Sequence, residues 1–386
     1  MRPDIQVIGA RGVPNVEGGA EKNAETLFPM FVDAGYQVEL VGIKRFCPFD
    51  RFRGMRITRL PTVDILKTDK VFYNFFALVR ACFTRPRIVH LQCLNSALFL
   101  VFYKLAGLKV VMRYGSSDYE FDKWGFVERQ ILKLCEYQIR FANHVITVSD
   151  TFRHALVERH GLSRVTVIPN GLDPVEVSAE AEALLQSLGL TDKRFVLSVG
   201  RVTADKSFET LVEAHRRLAN EDVELIVAGG IEPGYGDKFT ELADKRVRFI
   251  GRVDRDLLSA LYSNCRAYVN CSRHEGLSNA VLEALSYRAP VVLSDIPANN
   301  EMKLPSVNYF ETGNADALAD TLADVLATPQ RYVCDTDQFA SWDEVFARTC
   351  AVYANVLPGH FNTEARSQAE ASMPTHVSDK PSPVRG

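Results

Sequence analysis

Asn270 to Pro290 reads N-C-S-R-H-E-G-L-S-N-A-V-L-E-A-L-S-Y-R-A-P. A short apolar run, Ala267 to Val269, precedes it and reads as a buried parallel strand. Ser278 stands where it can cap a helix running through Ala280, Val281, Leu282, Ala284 and Leu285. That helix should stop before Pro290, and the apolar run Pro290 to Leu293 follows as the next strand. The order is strand, loop, helix, strand, which is the repeating unit of an α/β sheet. Glu275 falls on the loop and Glu283 on the helix. Free amides of Leu277, Ser278 and Asn279 at the helix start would suit an anion, because unpaired donors and the helix dipole both favour negative charge.

Two carboxylates would repel a bare phosphate. A ligand that carries both phosphate and hydroxyls removes the conflict: amides take the phosphate, and acceptor-only carboxylates take a sugar diol. The plainer reading is a loop glutamate and a solvated helix glutamate. The flanking E-G-L-S-N-A-V-L-E-A-L between two apolar strands is more specific than that.

This segment resembles the E-x7-E motif of the retaining glycosyltransferases of family 4. The resemblance extends over most of residues 4 to 355. It implies the GT-B fold: α/β, two Rossmann-like domains facing each other across a cleft, with a C-terminal helix that crosses back to the first.

The chain has 386 residues, too many for one ordinary core. Hydrophobic residues make up 47% and charged ones 24%, as in water-soluble globular proteins. Eight scattered cysteines lack metal-ligand spacing and, with no visible signal peptide, suggest reduced thiols in the cytoplasm. No apolar run reaches transmembrane length. Charge is uneven: residues 1–172 hold 24 Lys and Arg against 16 Asp and Glu, while the whole chain is −3. A basic front half and an acidic back half suggest different partners for each. No nucleic-acid motif is present, so nucleic acid is not expected as a partner.

Asp4 to Ile8 reads as a strand, Ala20 to Ala34 as a helix and Gln37 to Val41 as a strand. The loop between, G-A-R-G-V-P-N-V-E-G-G-A-E, is not a dinucleotide fingerprint. Gly18 and Gly19 allow either close ligand approach or a plain turn. The family resemblance places this loop by the donor phosphates and the acceptor, with Arg11 and Glu21 as further cleft candidates. Residues 64–87 combine aromatics with Lys and Arg. They fit a surface resting on anionic lipid, or a helix packed on the sheet with snorkelling basic ends. Periodicity alone points to the packed helix; a lipid-linked acceptor at the inner membrane face, implied by the family, brings peripheral membrane contact there level with it.

Ile88 to Leu91 is a strand whose end carries His90 and Gln92, and ligands of open α/β sheets gather beyond such ends. Many family members have a histidine where Gln92 aligns, contacting the transferred sugar. Gln can hydrogen-bond a hydroxyl but cannot titrate; a register off by one or two residues would give the role to His90, which otherwise reads as a satisfied strand histidine. Lys123, Trp124 and Gly125 resemble part of an acceptor-side motif in the rhamnosyltransferase-like subgroup. Ile168-Pro169-Asn170-Gly171-Leu172-Asp173 resembles the family's interdomain hinge.

The second half opens with the strand Arg194 to Val199, leading to Arg201 and Lys206. In the family pattern such a pair grips the donor diphosphate, stabilising leaving-group charge without a metal ion. Ser207 stands where the family has Gly. Arg252 and Val253 correspond to the loop beside the nucleobase. Asp254-Arg255-Asp256 and Asp335-Thr336-Asp337 read as solvated residues. The expected domains are 1–172 for the acceptor, 173–340 for the nucleotide sugar, 341–358 as the crossing helix, and a disordered tail at 359–386.

The resemblance thus implies a metal-independent, cofactor-free, retaining hexosyltransferase. It would use a nucleotide-diphospho-sugar donor and a glycan or lipid-linked acceptor in bacterial surface polysaccharide synthesis. Glu275, Arg201, Lys206, Gln92 and His90 are the candidates for chemistry. Glu283, Gly18, Gly19, Leu277, Ser278, Asn279, Arg252 and Val253 are the candidates for donor binding. A sugar-nucleotide epimerase of the same fold and a non-catalytic nucleotide-sugar-binding protein are the competing readings.

Overall fold

A computed structural model describes residues 2–62, 69–117, 125–175, 179–191, 194–218, 222–232, 235 and 245–361. Residues 64–68, the Lys123-Trp124 pair and the tail from 362 onward lie outside the described residues.

The first half builds one sheet from β1 (Ile5–Ile8), β2 (Val38–Ile43), β3 (Arg51–Phe52), β4 (Met55–Leu60), β5 (Ile88–Leu91), β6 (Val110–Tyr114), β7 (His144–Thr147) and β8 (Val165–Val167). Their spatial order is β3-β4-β2-β1-β5-β6-β7-β8, and every pairing but β3–β4 is parallel. Helices α1 (Gly19–Asp33), α2 (Asp69–Thr84), α3 (Leu100–Leu105), α4 (Phe126–Gln138) and α5 (Asp150–His160) connect them. The β3–β4 hairpin at the sheet edge is an element that sequence reading did not foresee.

The second half carries α6 (Ala181–Ser187), α7 (Phe208–Arg216), α8 (Arg255–Asn264), α9 (Asn279–Ser286), α10 (Pro297–Asn300) and α11 (Ala315–Ala327). Its strands are β9 (Arg194–Val199), β10 (Val223–Ala228), β11 (Val247–Gly251), β12 (Ala267–Asn270), β13 (Val291–Ser294) and β14 (Tyr309–Phe310). Their order is β11-β10-β9-β12-β13-β14, all parallel. Asp254 is not merely a solvated residue: its side chain caps α8 by accepting from the Leu257 amide at 2.9 Å.

Both sheets need cover on two faces, since strands such as Ile5–Ile8 and Val291–Ser294 are buried throughout. In the first sheet, α1 packs on one face through Ala24, Leu27, Phe28 and Phe31, and α2, α3 and α4 cover the other. The last helix, α12 (Trp342–Val356), joins the α1 layer. Phe31 meets Tyr353 and Phe346 with ring centroids 5.3 and 4.8 Å apart. Burying each such ring stabilises by about 1.5–3 kcal/mol. Packing continues past 358: Phe361 is buried against Tyr36 and Tyr353, and His360 bonds Asp4 at 2.8 Å. The expected disordered tail therefore cannot begin at 359.

The chain leaves the first half and returns to it side by side. Leu172 donates to the Ala340 carbonyl at 2.8 Å, and the Trp342 indole donates to Asp173 at 2.9 Å. A Cβ on Gly171 would lie 2.6 Å from the Trp342 nitrogen, so the crossing strands require glycine there.

Candidate functional site

Each sheet reverses its winding once, at β1/β5 in the first half and at β9/β12 in the second. Loops leaving the carboxyl ends at a reversal splay apart and open a crevice. Gly9 to Gly19 and Gln92 lie at the first reversal; Gly200 to Lys206 and Asn270 to Ser278 lie at the second. The two crevices face each other.

After β9 the chain turns at Gly200 (φ +152°), whose carbonyl a Cβ on Gly229 would approach to 1.9 Å. This backbone contact places Arg201 and the short turn Ala204–Lys206 at the mouth. The Lys206 ammonium forms an ion pair with Glu275. Glu275 also accepts from the Ser272 hydroxyl at 2.8 Å and faces Asn270 at 3.4 Å. Ser207 has φ 49°, a left-handed conformation that disfavours a side chain by roughly 1–2 kcal/mol. This explains why glycine suits the position. Here Ser207 is held by Thr210 at 3.0 Å and by Arg273 at 3.2 Å.

Ser278 stands at the start of α9, but its side chain caps no amide. Its hydroxyl faces Asn270 at 3.5 Å instead. The expectation of a Ser278 side-chain cap is thus corrected, and the amides at Leu277 to Asn279 head a helix without one. One turn into α9, Glu283 accepts from the Tyr262 hydroxyl at 3.1 Å and lies 3.7 Å from the Lys22 ammonium. Burial pushes its carboxyl pKa up, and the Lys22 charge opposes that only in part. Lys22 also binds Asp173 at 2.6 Å.

Among the described residues, several contacts bridge the two halves. Glu17 meets Arg252 at 3.3 Å, Lys22 meets Glu283, Asn170 donates to Asn279 at 2.5 Å, and Glu301 accepts from the Thr151 amide at 3.0 Å. Gly19 lies so near α9 that a Cβ there would be 3.3 Å from the side-chain Nδ2 of Asn279. Gly18, at φ +140°, starts α1. Arg252 extends over Gly230, and Val253 follows it beyond the end of β11. A cavity of about 10 Å³ remains between Lys22, Gly171, Asp173, Asn279, Glu283 and Trp342. That is room for about one water. A nucleotide reaches Glu283 only if the halves separate or Lys22 swings away.

The structure separates the two residues singled out at β5. His90 is fully buried on the α1/α12 face, its Nδ1 2.6 Å from the Tyr353 hydroxyl and its ring edge-on to Phe28. Burial, helped by the Arg113 charge, pushes its pKa down to about 3. His90 lies within β5, packed among α1 and α12 rather than past the strand's open end, which corrects the reading of His90 as a sugar contact. Gln92, past the strand end, sits on the cleft floor. It is almost wholly buried and donates to Asn23 at 2.8 Å. Glu21 likewise turns inward: it holds the Arg11 guanidinium at 2.7 Å and braces the loop rather than facing the cleft.

A buried polar chain went unread in the sequence. Gln92 donates to Asn23, Asn23 to Asn170 at 2.9 Å, and Asn170 to Asn279. Arg113 donates to Asn170 at 2.7 Å and to the Ile168 carbonyl at 3.0 Å. Burial lowers the pKa of Arg113 to about 10. The signal was present: an arginine inside the apolar strand V-V-M-R-Y is anomalous for a sheet buried on both faces. Among the described residues, no three His, Cys, Asp or Glu side chains cluster as metal ligands.

Comparison with known proteins gives these parts a common reading. The family model "Glycosyltransferase Family 4" matches residues 17–176, and "Glycosyl transferases group 1" matches residues 193–328. Neither model spans half of the chain alone, and the two follow each other along it. The gpi3 subunit of the phosphatidylinositol N-acetylglucosaminyltransferase of Schizosaccharomyces pombe is 24% identical, over 88% of this chain and 78% of that protein. The O-antigen chain mannosyltransferase RfbU of Salmonella typhimurium is 25% identical over 51% of this chain and 54% of its own length. The chain thus spans about half of that second relative. Among solved structures, Anabaena HepE in complex with UDP and glucose superposes with a TM-score of 0.73 at 17% identity, covering 90% of this chain and 98% of that one. The fold is GT-B, and the successive family matches support a glycosyltransferase of that type.

Proposed function

We propose that the protein transfers a hexose or deoxyhexose from a nucleotide diphosphate sugar to a glycan or lipid-linked acceptor, in the assembly of a bacterial surface polysaccharide. The observation that carries this reading is the pairing of Glu275 and Glu283 at the β12/α9 crevice with Lys206 on the facing loop. Glu283 accepts from the ribose diol. Arg201 and Lys206 take the diphosphate, and the amides of Leu277 to Asn279 take a phosphate or a sugar oxygen. Glu275 orients hydroxyls of the transferred sugar. Charge on the departing diphosphate is stabilised by the two cations, with no metal ion required.

The anomeric configuration is retained. In a front-face displacement, the bond from anomeric carbon to phosphate oxygen breaks as the acceptor oxygen bonds to that carbon. The acceptor proton passes to the leaving phosphate. Such a reaction depends on positioning and charge stabilisation more than on a titrating side chain. Gln92 in place of a histidine is compatible with it. Work on a lipid-linked acceptor would place the protein peripherally on the cytoplasmic face of the inner membrane, through the region of residues 64–87.

A thermal-shift panel of UDP, GDP, dTDP and ADP, with and without magnesium, tests the donor site on wild type and Glu283→Ala. A ligand that binds only the folded state raises the melting temperature by mass action. The expected result is a magnesium-independent rise for one nucleotide, lost in Glu283→Ala. Equal shifts in wild type and variant would overturn the site.

A further inference from the structure

The outer surface of the α2–α4 layer is unusual for a water-facing surface. On α2, Phe72, Phe75, Phe76 and Phe83 form one exposed stripe at helical spacing, with Phe83 83% exposed. The aromatic row does not stop at that helix. Phe75 meets Phe99 at 6.1 Å, and Phe99 meets Phe102 of α3 at 6.1 Å. Leu105 on α3 is 77% exposed and Phe126 on α4 is 79% exposed. An exposed aromatic row that runs from α2 to α3, with a further exposed apolar residue on α4, marks an interaction face rather than scattered surface residues.

Charge says what the face meets. Over α2 and α3, from Lys70 to Ser117, the chain has no Asp or Glu and seven Lys and Arg, of which Arg113 is buried; α4 is balanced, with Glu128 and Glu136 against Arg129 and Lys133. Where the α2 stripe ends at Phe83, Arg2, Arg56 and Arg80 line a cavity of about 380 Å³. Among the described residues the carboxylate paired there is Glu39, buried, 2.7 Å from Arg80 and 3.9 Å from Arg56. One carboxylate against three guanidinia leaves the cavity cationic and suited to a phosphate group. Lys133 on α4 is exposed, and so is Arg140 in the turn that follows it, stacked on the Tyr137 ring at 4.8 Å.

We propose that this layer docks on a membrane rich in anionic phospholipid, with the aromatic row at the headgroup boundary and the arginine cavity on a lipid phosphate. A second copy of the chain fits less well, because two such faces would set like charge against like charge. The proposal rests on the membrane part of the reading above, and it widens that contact from one segment to three helices and a phosphate cavity.

The test is sedimentation of the full chain with vesicles of phosphatidylcholine alone, and of phosphatidylcholine with phosphatidylglycerol. Wild type should bind the anionic vesicles at least about tenfold more tightly. The triple variant Phe83→Ser, Leu105→Ser, Phe126→Ser replaces highly exposed side chains, so it should fold normally and bind at least about tenfold more weakly. Arg2→Glu with Lys133→Glu should abolish the preference for phosphatidylglycerol. The nucleotide-induced thermal shift should persist in both variants, which separates failure at this surface from failure of the donor site. Equal wild-type binding to both vesicles would overturn the proposal, as would undiminished binding by the triple variant. So would a wild-type dimer that the triple variant dissolves while neither protein binds vesicles.

Discussion

Gly276 follows Glu275 directly and is one point where the Asn270–Pro290 stretch touches the first half of the chain. A Cβ added there would lie 1.9 Å from the Gly115 carbonyl oxygen and 3.0 Å from the Phe152 ring. The obstacle is backbone, so no rotamer change relieves it. Ordinary contact begins at 3.4 Å, so Gly276→Ala must drive the loop and the β6 exit apart by about 1.5 Å. A misplacement of about 1 Å in a positioned site can cost roughly 100-fold. The expected fall in kcat/KM is therefore about 100-fold, or about 2.7 kcal/mol of transition-state stabilisation. Neither sheet's core is touched, and small separation of the halves relieves the clash. Loss of unfolding free energy should stay below about 2 kcal/mol, within the ordinary range for overpacking. The assay is release of nucleoside diphosphate from the nucleotide sugar that gives the largest thermal shift, with bacterial membrane extract as acceptor. Nucleotide binding should persist, since its groups lie in the second half. Gly115→Ala is the control: among the described residues its Cβ would meet only Val148, at 3.9 Å, and it should behave as wild type. Activity of Gly276→Ala within threefold of wild type would refute the reasoning, because the closed arrangement of the halves would then not be the working one.

Two further perturbations follow from the buried polar groups. Asn170→Ala takes from Arg113 its side-chain acceptor and cuts the link from Asn23 to Asn279. Hydrogen bonds to charged groups contribute about 1.5–3 kcal/mol, so urea unfolding should show a loss of about 2–3 kcal/mol, and a loss under about 0.5 would contradict the network. His90 has a folded pKa near 3 against the ordinary 6.5, so the unfolded chain binds the extra proton between those values. Stability should fall as pH drops from 6.5 towards 3, with a slope from this group of up to about 1.4 kcal/mol per pH unit. His90→Gln should flatten the dependence over that window in chemical denaturation; an unchanged slope would mean that the histidine is not held neutral.

Much of the fold was legible because its signals are local. Apolar runs such as Pro290 to Leu293 read as buried strands, and Gly18, read as a possible turn, has a φ of +140° that other residues resist. The stretch from Asn270 to Pro290 gave strand, loop and helix in the right order. Where the reading failed, the deciding information was tertiary. His90 and Gln92 are two residues apart at the end of one strand, and nothing in their spacing says which reaches the cleft. The answer came from α12, some 260 positions later, whose Tyr353 draws His90 into the interior. Ser278 has the right residue type for a cap, but its hydroxyl turns to Asn270.

The largest omission was the contact between the halves, and it bears on how the site works. Lys22 stands on α1, in a stretch that reads only as the polar start of an amphipathic helix. Folded, it lies between Asp173 of the crossing segment and Glu283 of α9. Burial pushes the Glu283 carboxyl pKa up, and the Lys22 ammonium opposes that shift from across the cleft. A ribose diol can donate two hydrogen bonds to the same carboxylate and so take over from the ammonium. Entry of a nucleotide at Glu283 therefore exchanges a contact between the halves for a contact with the ligand. On the proposed reading, the residue that binds the donor also holds a contact between the halves, so donor binding and cleft opening would be coupled in this chain.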